Sequence, residues 1–387
     1  MHKINACAPR RIAILAGLGS SLVNFRGPLL KALCDSGIEV HAIANGLRED
    51  LATRKRLEDW GVVTHDVVMQ RTGTNPLSDL AALRELYHLY REIKPDAVLG
   101  YTVKPALYGT LTAWLARVPK RYALITGLGY AFTGEARGKR RLIQWLVRAL
   151  YRQALSRAER VFFQNPDDES LFRHLELLSK QVPSQVVSGS GIDTSHFACS
   201  PLPENGPNFL LIARLLGDKG VREYVAAASK VRERHPDARF RLVGFIDGNP
   251  DSITQRELEQ WIVDGDIDYL GELDDVRPAI ADASVYVLPS YREGTPRTVL
   301  EAMSMGRPII TADAPGCRET VSHGDNGYLV PVKAVDELVE AMEYFITRPD
   351  LIHQMGARSR EIAVEKYEVQ KVNAQMLEGM GILTANC

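Results

Sequence analysis

An α/β fold built on two parallel, doubly wound sheets follows from three features of this 387-residue sequence. Short apolar runs alternate with helix-period segments, the alternation occurs as two successive series, and an aperiodic stretch rich in proline separates them. In the first series the strand-like runs fall at residues 11–16, 38–44, 62–68, 96–101, 121–126 and 160–164. Helical spacing fills the intervals, which implies parallel strands joined by right-handed crossovers. The second series places strands at 208–213, 240–244, 267–270, 284–288, 308–311 and 327–330, with a helix over 221–234. Residues 195–207 hold three prolines and little periodicity, which predicts a linker. Beyond residue 334 the pattern is helical only, with Val335, Leu338, Val339, Met342 and Ile346 at amphipathic spacing. The expected division is residues 1–194, a linker at 195–207, residues 208–365, and a last helical segment, 366–387, that crosses back to the first domain. A cleft between two such domains is the natural binding site.

Composition narrows the function. With 45% hydrophobic and 25% charged residues the chain reads as an ordinary globular protein, and a formal charge of −1 removes any global attraction to nucleic acid. Five cysteines, an odd number without a Cys-x-x-Cys pair, favour a reducing cytosol. Lys3, Arg10 and Arg11 ahead of residues 12–18 imitate a signal peptide, but the apolar run is short, broken by glycine and followed by a helix pattern. It reads as the first strand. No run of 18 apolar residues suggests a membrane span.

The most informative stretch is residues 293–301, Glu-Gly-Thr-Pro-Arg-Thr-Val-Leu-Glu. It follows a buried strand, so Glu293 sits in a loop at a strand's carboxyl end, where open parallel sheets bind ligands. Thr295 is placed to cap a helix through its hydroxyl, and Pro296 suits a first helical position. The N–H groups of such a helix attract a diphosphate. Glu301, on one face with Arg297 and Thr298, is within reach of a ribose diol, and Glu293 can accept hydrogen bonds from a hexose. The spacing alone also suits a capped helix with two solvated glutamates. Arg214 and Lys219 flank a turn after the first strand of the second series, and together can neutralise a diphosphate leaving group.

With these residues, and with Ala302-Met-Ser-Met-Gly-Arg-Pro308 and Glu319-Thr-Val-x5-Gly-Tyr-Leu-Val330, the chain resembles the retaining family 4 glycosyltransferases of the GT-B fold, in which two Rossmann-like domains face a cleft. Within them it looks most like bacterial enzymes that extend polyprenyl-diphosphate-linked sugars in O-antigen, capsule or protein-glycan assembly. The resemblance implies a catalytic set of Arg214, Lys219 and Glu293. It implies a donor site of Gly17, Gly19, Ser20, Arg214, Lys219, Glu293, Gly294, Thr295, Pro296, Arg297 and Glu301, with the base near residues 270–276. The implied donor is a UDP-sugar, the implied acceptor a lipid-linked saccharide, and neither a metal nor a further cofactor is expected. Two departures stand out: Thr295-Pro296 replace an aromatic or a second glycine, and Thr126-Gly-Leu-Gly129 lack a histidine common in the family. Asp264-Gly-Asp266, superficially a metal motif, reads as a turn. Gln164-Asn-Pro-Asp-Asp168 and Gly189-Ser-Gly-Ile-Asp193 also read as structural turns.

Arg137, Lys139, Arg140, Arg141 and Arg148 crowd a segment in which Leu142, Trp145, Leu146, Ala149 and Leu150 recur at helical spacing. A basic amphipathic helix of this kind suits an anionic membrane surface, here the inner face of the cytoplasmic membrane. The alternative is a helix whose apolar stripe packs on the sheet while its arginines are solvated. Competing functions are a sugar-nucleotide epimerase on the same fold and a non-catalytic nucleotide-sugar-binding scaffold. A nicotinamide enzyme fits least, because Leu22 occupies the third glycine position of a Gly-x-Gly-x-x-Gly loop.

Overall fold

A computed structural model of the chain describes residues 5, 8–69, 76–127, 139–204, 206–249 and 251–383. They form two units, Met1–Ser190 with Gln370–Cys387, and Gly191–Val369. The first unit alternates β1 (Arg11–Leu15), α1 (Gly19–Asp35), β2 (Glu39–Ala44), α2 (Leu51–Asp59), β3 (Val63–Asp66), α3 (Pro76–Ile93), β4 (Ala97–Tyr101), α4 (Val103–Leu115), β5 (Lys120–Ile125), α5 (Lys139–Leu155), β6 (Arg160–Phe163), α6 (Pro166–His174) and β7 (Ser184–Val186). Its strands are all parallel, in the order β3-β2-β1-β4-β5-β6-β7. Six of them occupy the stretches expected from the sequence. β7 is the addition, a three-residue edge strand whose Ser184 and Gln185 give no apolar run to detect.

Both faces of this sheet are covered, so its strands are apolar at nearly every position. Ala13 and Leu15 face a layer that includes Leu86, Tyr90, Ala106, Tyr151 and Phe172, from α3, α4, α5 and α6. Ile12 and Ile14 face the other way, with Leu22, Leu30 and Leu57 from α1 and α2.

The second unit runs β8 (Asn208–Ile212), α7 (Val221–Arg234), β9 (Arg239–Val243), α8 (Gln255–Val263), β10 (Asp268–Tyr269), α9 (Arg277–Ala281), β11 (Val285–Leu288), α10 (Arg297–Ser304), β12 (Ile309–Ala312), β13 (Gly327–Val330), α11 (Val335–Thr347) and α12 (Asp350–Ile362). A π-helical segment, Ala363–Tyr367, leads to α13 (Val369–Gly379). The sheet order is β10-β9-β8-β11-β12-β13, again parallel throughout. Gly265 (φ 73°) turns the chain between α8 and β10, so Asp264 and Asp266 do belong to a turn.

The last helix lies on the first unit. Met376, Leu377 and Met380 join the layer that covers Ile12 and Ile14, and the Tyr122 hydroxyl donates to Met380 O at 2.7 Å. A Cβ on Gly379 would stand 2.7 Å from the Phe162 ring, so a side chain there would hold the helix away.

The stretch 195–207, expected as a linker, is instead a strap held by the second unit. Arg307, fully buried, donates to Ser200 O, Pro201 O, Ile280 O, Ala281 O and Met305 O. Ser304 Oγ and Arg360 Nη1 both donate to Phe197 O. The prolines stiffen a packed segment, and the buried guanidinium finds its acceptors in that segment's carbonyls. The units divide earlier, between Ser190 and Gly191, and again between Val369 and Gln370. There Ile192 N donates to Tyr367 O and Val369 N to Ile192 O, at 2.8 and 2.9 Å. Gly191 (φ 72°) allows the approach, since a Cβ would stand 2.7 Å from Val369 Cα.

In each sheet the order reverses at one place, between β1 and β4 in the first and between β8 and β11 in the second. Crevices at the carboxyl ends of such strand pairs are where open α/β sheets bind ligands.

Candidate functional site

The β8/β11 switch point gathers most of the residues singled out above. After β8 the chain passes Arg214, makes a 3-10 turn at Gly217–Lys219, and enters α7 through Gly220, whose φ of 72° a side chain resists. A Cβ on Gly220 would lie 2.3 Å from Pro289 O, so the turn packs directly on the backbone that leaves β11. The two loops are laced together, Tyr291 N donating to Asp218 O at 2.9 Å. On the far side, Glu293 N donates to Pro315 O at 2.9 Å, and a Cβ on Gly316 would come within 2.1 Å of Glu293 O. Glu293 is thus fixed through its backbone by glycine-permitted contacts on both flanks of its loop.

The side chains pair in a charge-balanced way. Lys219 Nζ lies 2.5 Å from Glu293 Oε1, with about the same small exposure on each, 16% and 15%. Burial opposes the charge on Lys219, but the Glu293 carboxylate outweighs it, and the ammonium is held above its ordinary range. Arg214 Nη1 meets Asp247 Oδ2 at 2.8 Å. Burial pushes the neighbouring Asp218 carboxyl up, with Lys219 acting against it.

α10 begins one residue later than expected. Pro296, at ψ 111°, is the N-cap and no side chain caps the helix. Thr295 therefore lies outside the cap position, where its hydroxyl would have met the donors of the second and third residues. The helix still starts beside Glu293 and brings Arg297 and Glu301 to one face, Nε to Oε1 at 2.9 Å. Burial raises the Glu301 carboxyl, while Arg297 opposes the rise. Residues 270–276 follow β10 at the same carboxyl edge of the sheet.

Three supports escaped the sequence. Asp247, in the loop after β9, holds Arg214. Asp251 accepts from Asp218 N through its carboxylate and from Gly217 N through its carbonyl. Tyr291 donates to Glu223 Oε1 at 2.6 Å, tying the Glu293 loop to α7. Only the first carried a signal, as an acidic residue just past the carboxyl end of a strand next to β8.

Other expected residues lie in the first unit. Gly17 is buried between β1 and α1, and Gly19 is buried as the first residue of α1, with Ser20 half-buried after it. Gly19 N donates to Asn45 O, and a Cβ on Gly19 would stand 2.8 Å from Leu47. Of Thr126-Gly-Leu-Gly129, the last two residues lie outside the described residues. Asn165 and Asp193 are structural: Asn165 Oδ1 caps α6, and Asp193 accepts from Ser195 N and His196 N.

For the basic helix, Arg137 and the side chains of Lys139, Arg140 and Leu142 lie outside the described residues. Arg141 is exposed and Arg148 half-buried. Trp145, Leu146 and Leu150 point to solvent, with 64%, 47% and 38% exposure, while Tyr151, Ala154 and Leu155 fill the core beneath. The buried stripe of α5 is thus a different set of apolar residues from the exposed one. Among the described residues no helix is long and apolar enough to cross a membrane.

Comparison with known proteins agrees with this geometry. Residues 206–348 match the family model "Glycosyl transferases group 1", and residues 26–182 match "Glycosyl transferase 4-like domain". An N,N'-diacetylbacillosaminyl-diphospho-undecaprenol alpha-1,3-N-acetylgalactosaminyltransferase of Campylobacter jejuni is 29% identical, covering 92% of this chain and 94% of its own. A UDP-Gal:alpha-D-GlcNAc-diphosphoundecaprenol alpha-1,3-galactosyltransferase of Escherichia coli is 25% identical, covering 76% and 77%. Among solved structures, the Anabaena protein HepE in complex with UDP-glucose superposes with a TM-score of 0.75 at 19% identity, covering 96% of this chain and 99% of its own. Sucrose-phosphate synthase from Thermosynechococcus elongatus gives 0.78 at 18% identity, covering 95% and 98%. The two matched domains and the shared fold agree: the chain is a glycosyltransferase with a 4-like N-terminal domain, a group 1 domain after it and the two-domain GT-B fold.

Proposed function

We propose that the chain is a retaining transferase that moves a hexose or N-acetylhexosamine from a UDP-sugar to a saccharide carried on a polyprenyl diphosphate, in bacterial surface-glycan assembly. The observation that carries this reading is the Lys219–Glu293 pair, 2.5 Å apart at the β8/β11 switch point and beside Arg214. One partner suits a phosphate and the other a sugar hydroxyl. Entry of the donor separates them, the ammonium turning to the diphosphate and the carboxylate to the hexose. The activities of the C. jejuni and E. coli relatives support the acceptor class, and HepE's complex supports a UDP-sugar.

In the chemical step the bond from the sugar's anomeric carbon to the β-phosphate oxygen breaks. The acceptor hydroxyl oxygen then bonds to that carbon from the same face, and its proton passes to the departing phosphate. Arg214 and Lys219 stabilise the negative charge that accumulates on UDP, the part a divalent cation plays elsewhere. The expected enzyme therefore needs no added metal. Glu301, buried and braced by Arg297, is placed to take the ribose hydroxyls.

The exposed Trp145, Leu146 and Leu150, with Arg141 beside them, fit a helix that rests on anionic lipid headgroups on the cytoplasmic side. A lipid-linked acceptor would be met at that surface.

The test is UDP and GDP release from a panel of nucleotide sugars, with and without short-chain polyprenyl diphosphates carrying N-acetylglucosamine or N,N'-diacetylbacillosamine, in buffer containing EDTA. Acceptor-dependent UDP release from one donor, with the anomeric configuration kept in the product, is the expected result. A change in the recovered nucleotide sugar's configuration without transfer would show an epimerase instead.

A further inference from the structure

The first sheet has a switch point of its own, and the charged side chains at its mouth belong to no role given above. β1 and β4 pair in parallel with Leu15 opposite Gly100, so the residues just beyond the strands, Gly17 on one side and Thr102 to Lys104 on the other, border one crevice mouth. Lys104 Nζ lies 2.7 Å from Asp79 Oδ1, and the side chains keep 15% and 17% exposure. The Tyr108 hydroxyl hydrogen-bonds the same carboxylate, and burial together with Asp79 pushes that phenol up, so it stays a neutral donor. The Lys104 ammonium also stands 5.9 Å from the Tyr108 ring centroid. Ser21 Oγ and the Tyr101 hydroxyl, 2.8 Å apart, pair on the other face of the sheet, beside α1.

The backbone here is shaped at a cost. Thr102 holds φ 70° and ψ 177°, a region that only glycine adopts freely and that strains a β-branched residue. Gly100 makes this shape possible, because a Cβ there would lie 2.2 Å from Pro105 O. The strain and the glycine together fold the chain straight back from β4 and set Lys104 at the mouth of the crevice.

We infer that Lys104, Asp79 and Tyr108 form a subsite for a hydroxyl-bearing sugar ring of the acceptor. The inference rests on the transferase reading above. The chemistry selects a sugar over a phosphate. Lys104 and Asp79 neutralise one another, so a phosphate would face the Asp79 carboxylate, whereas vicinal hydroxyls can donate to Asp79 and accept from Lys104 at once. Lys219 and Glu293 make a similar pairing at the second switch point, but there Arg214 stands beside the lysine and adds the positive charge a diphosphate needs.

Acceptor kinetics of Lys104→Met and Asp79→Asn test this, alongside calorimetric titration with UDP and inhibition by polyprenyl diphosphate that carries no sugar. The expected result is an acceptor KM raised about tenfold or more, with UDP affinity and the sugar-free inhibition constant as in the parent. An unchanged acceptor KM in both variants overturns the inference. Weakened inhibition by the sugar-free lipid overturns it too, by showing a phosphate site. Tyr108→Phe, which keeps the ring beneath Lys104 and deletes one donor, carries the test if either variant fails to fold, with an acceptor KM increase again expected. A parent protein that binds UDP but releases none with any polyprenyl-diphosphate acceptor would overturn the functional reading and this subsite with it. Normal parent turnover with unaffected variants would remove the subsite alone.

Discussion

At the scale of single residues, the second unit's site is a set of charges that satisfy each other until a substrate arrives. Lys219 is held above its ordinary pKa of 10.5 because Glu293 outweighs burial. A raised base contributes its stabilisation fully at low and neutral pH and loses it only as the pH climbs through the raised value. The pair's contribution to stability should therefore hold through neutral pH and fade only above the ordinary value of 10.5, read by thermal unfolding at several pH values. Lys219→Ala and Arg214→Ala should each lower kcat by roughly 10²–10³, the usual cost of losing one stabiliser of developing charge. Single-turnover rates at saturating donor measure this, and near-parental rates in both would refute the assigned roles. These two cations and both glutamates were legible in the sequence because a strand, a turn and a helix start fix where they stand. Asp251, Glu223 and Tyr291 were not, since each acts through a partner 33 to 68 positions away, and Asp247 offered only its place past a strand end.

At the scale of elements, α8 shows how a cap stabilises the site from behind. Thr254 and Glu257 form a reciprocal capping box, and Arg222 of α7 grips the Glu257 carboxylate at 2.7 and 3.2 Å. The Arg222 guanidinium, against the cost of partial burial and with help from the Thr254 amide, holds Glu257 down to about 2. A depressed acid stabilises the fold above its ordinary value of 4.5, and that contribution fades as the pH falls towards 2. Glu257→Gln should lower the thermal midpoint at neutral pH and flatten its decline across that acid range, read by calorimetry at several pH values. An unchanged acid limb would show that the pair contributes nothing. Elements with long apolar runs were predictable to within a residue or two. β7 was not, because an edge strand of three residues takes its place from pairing with β6 and not from its own composition. The start of α10 slipped by one because Pro296 fits either side of a helix boundary by its φ, and its ψ is set by the loop that holds Glu293.

At the scale of the whole molecule, α5 presents two apolar sets, one inside and one out. Binding to vesicles containing anionic lipid should fall at least about tenfold for Trp145→Ala combined with Arg141→Glu, and should weaken with added salt for the parent. Equal co-sedimentation of parent and variant would remove the membrane role. The two-sheet architecture was plain from the repeated alternation. The joint was misplaced because proline content in residues 195–207 looks the same in a free linker and in a strap gripped by Arg307, and the grip comes from more than a hundred positions along the chain.

One consequence concerns how the chain is made. Residues 191–369 are continuous in sequence, so the second unit has all its parts as soon as they leave the ribosome. The first unit does not, because Met376, Leu377 and Met380 complete the layer over Ile12, Ile14 and Phe162. The half that is translated first is thus the last to be finished, and its apolar face waits uncovered, exposed to chaperones and to misassociation, through synthesis of the whole second unit.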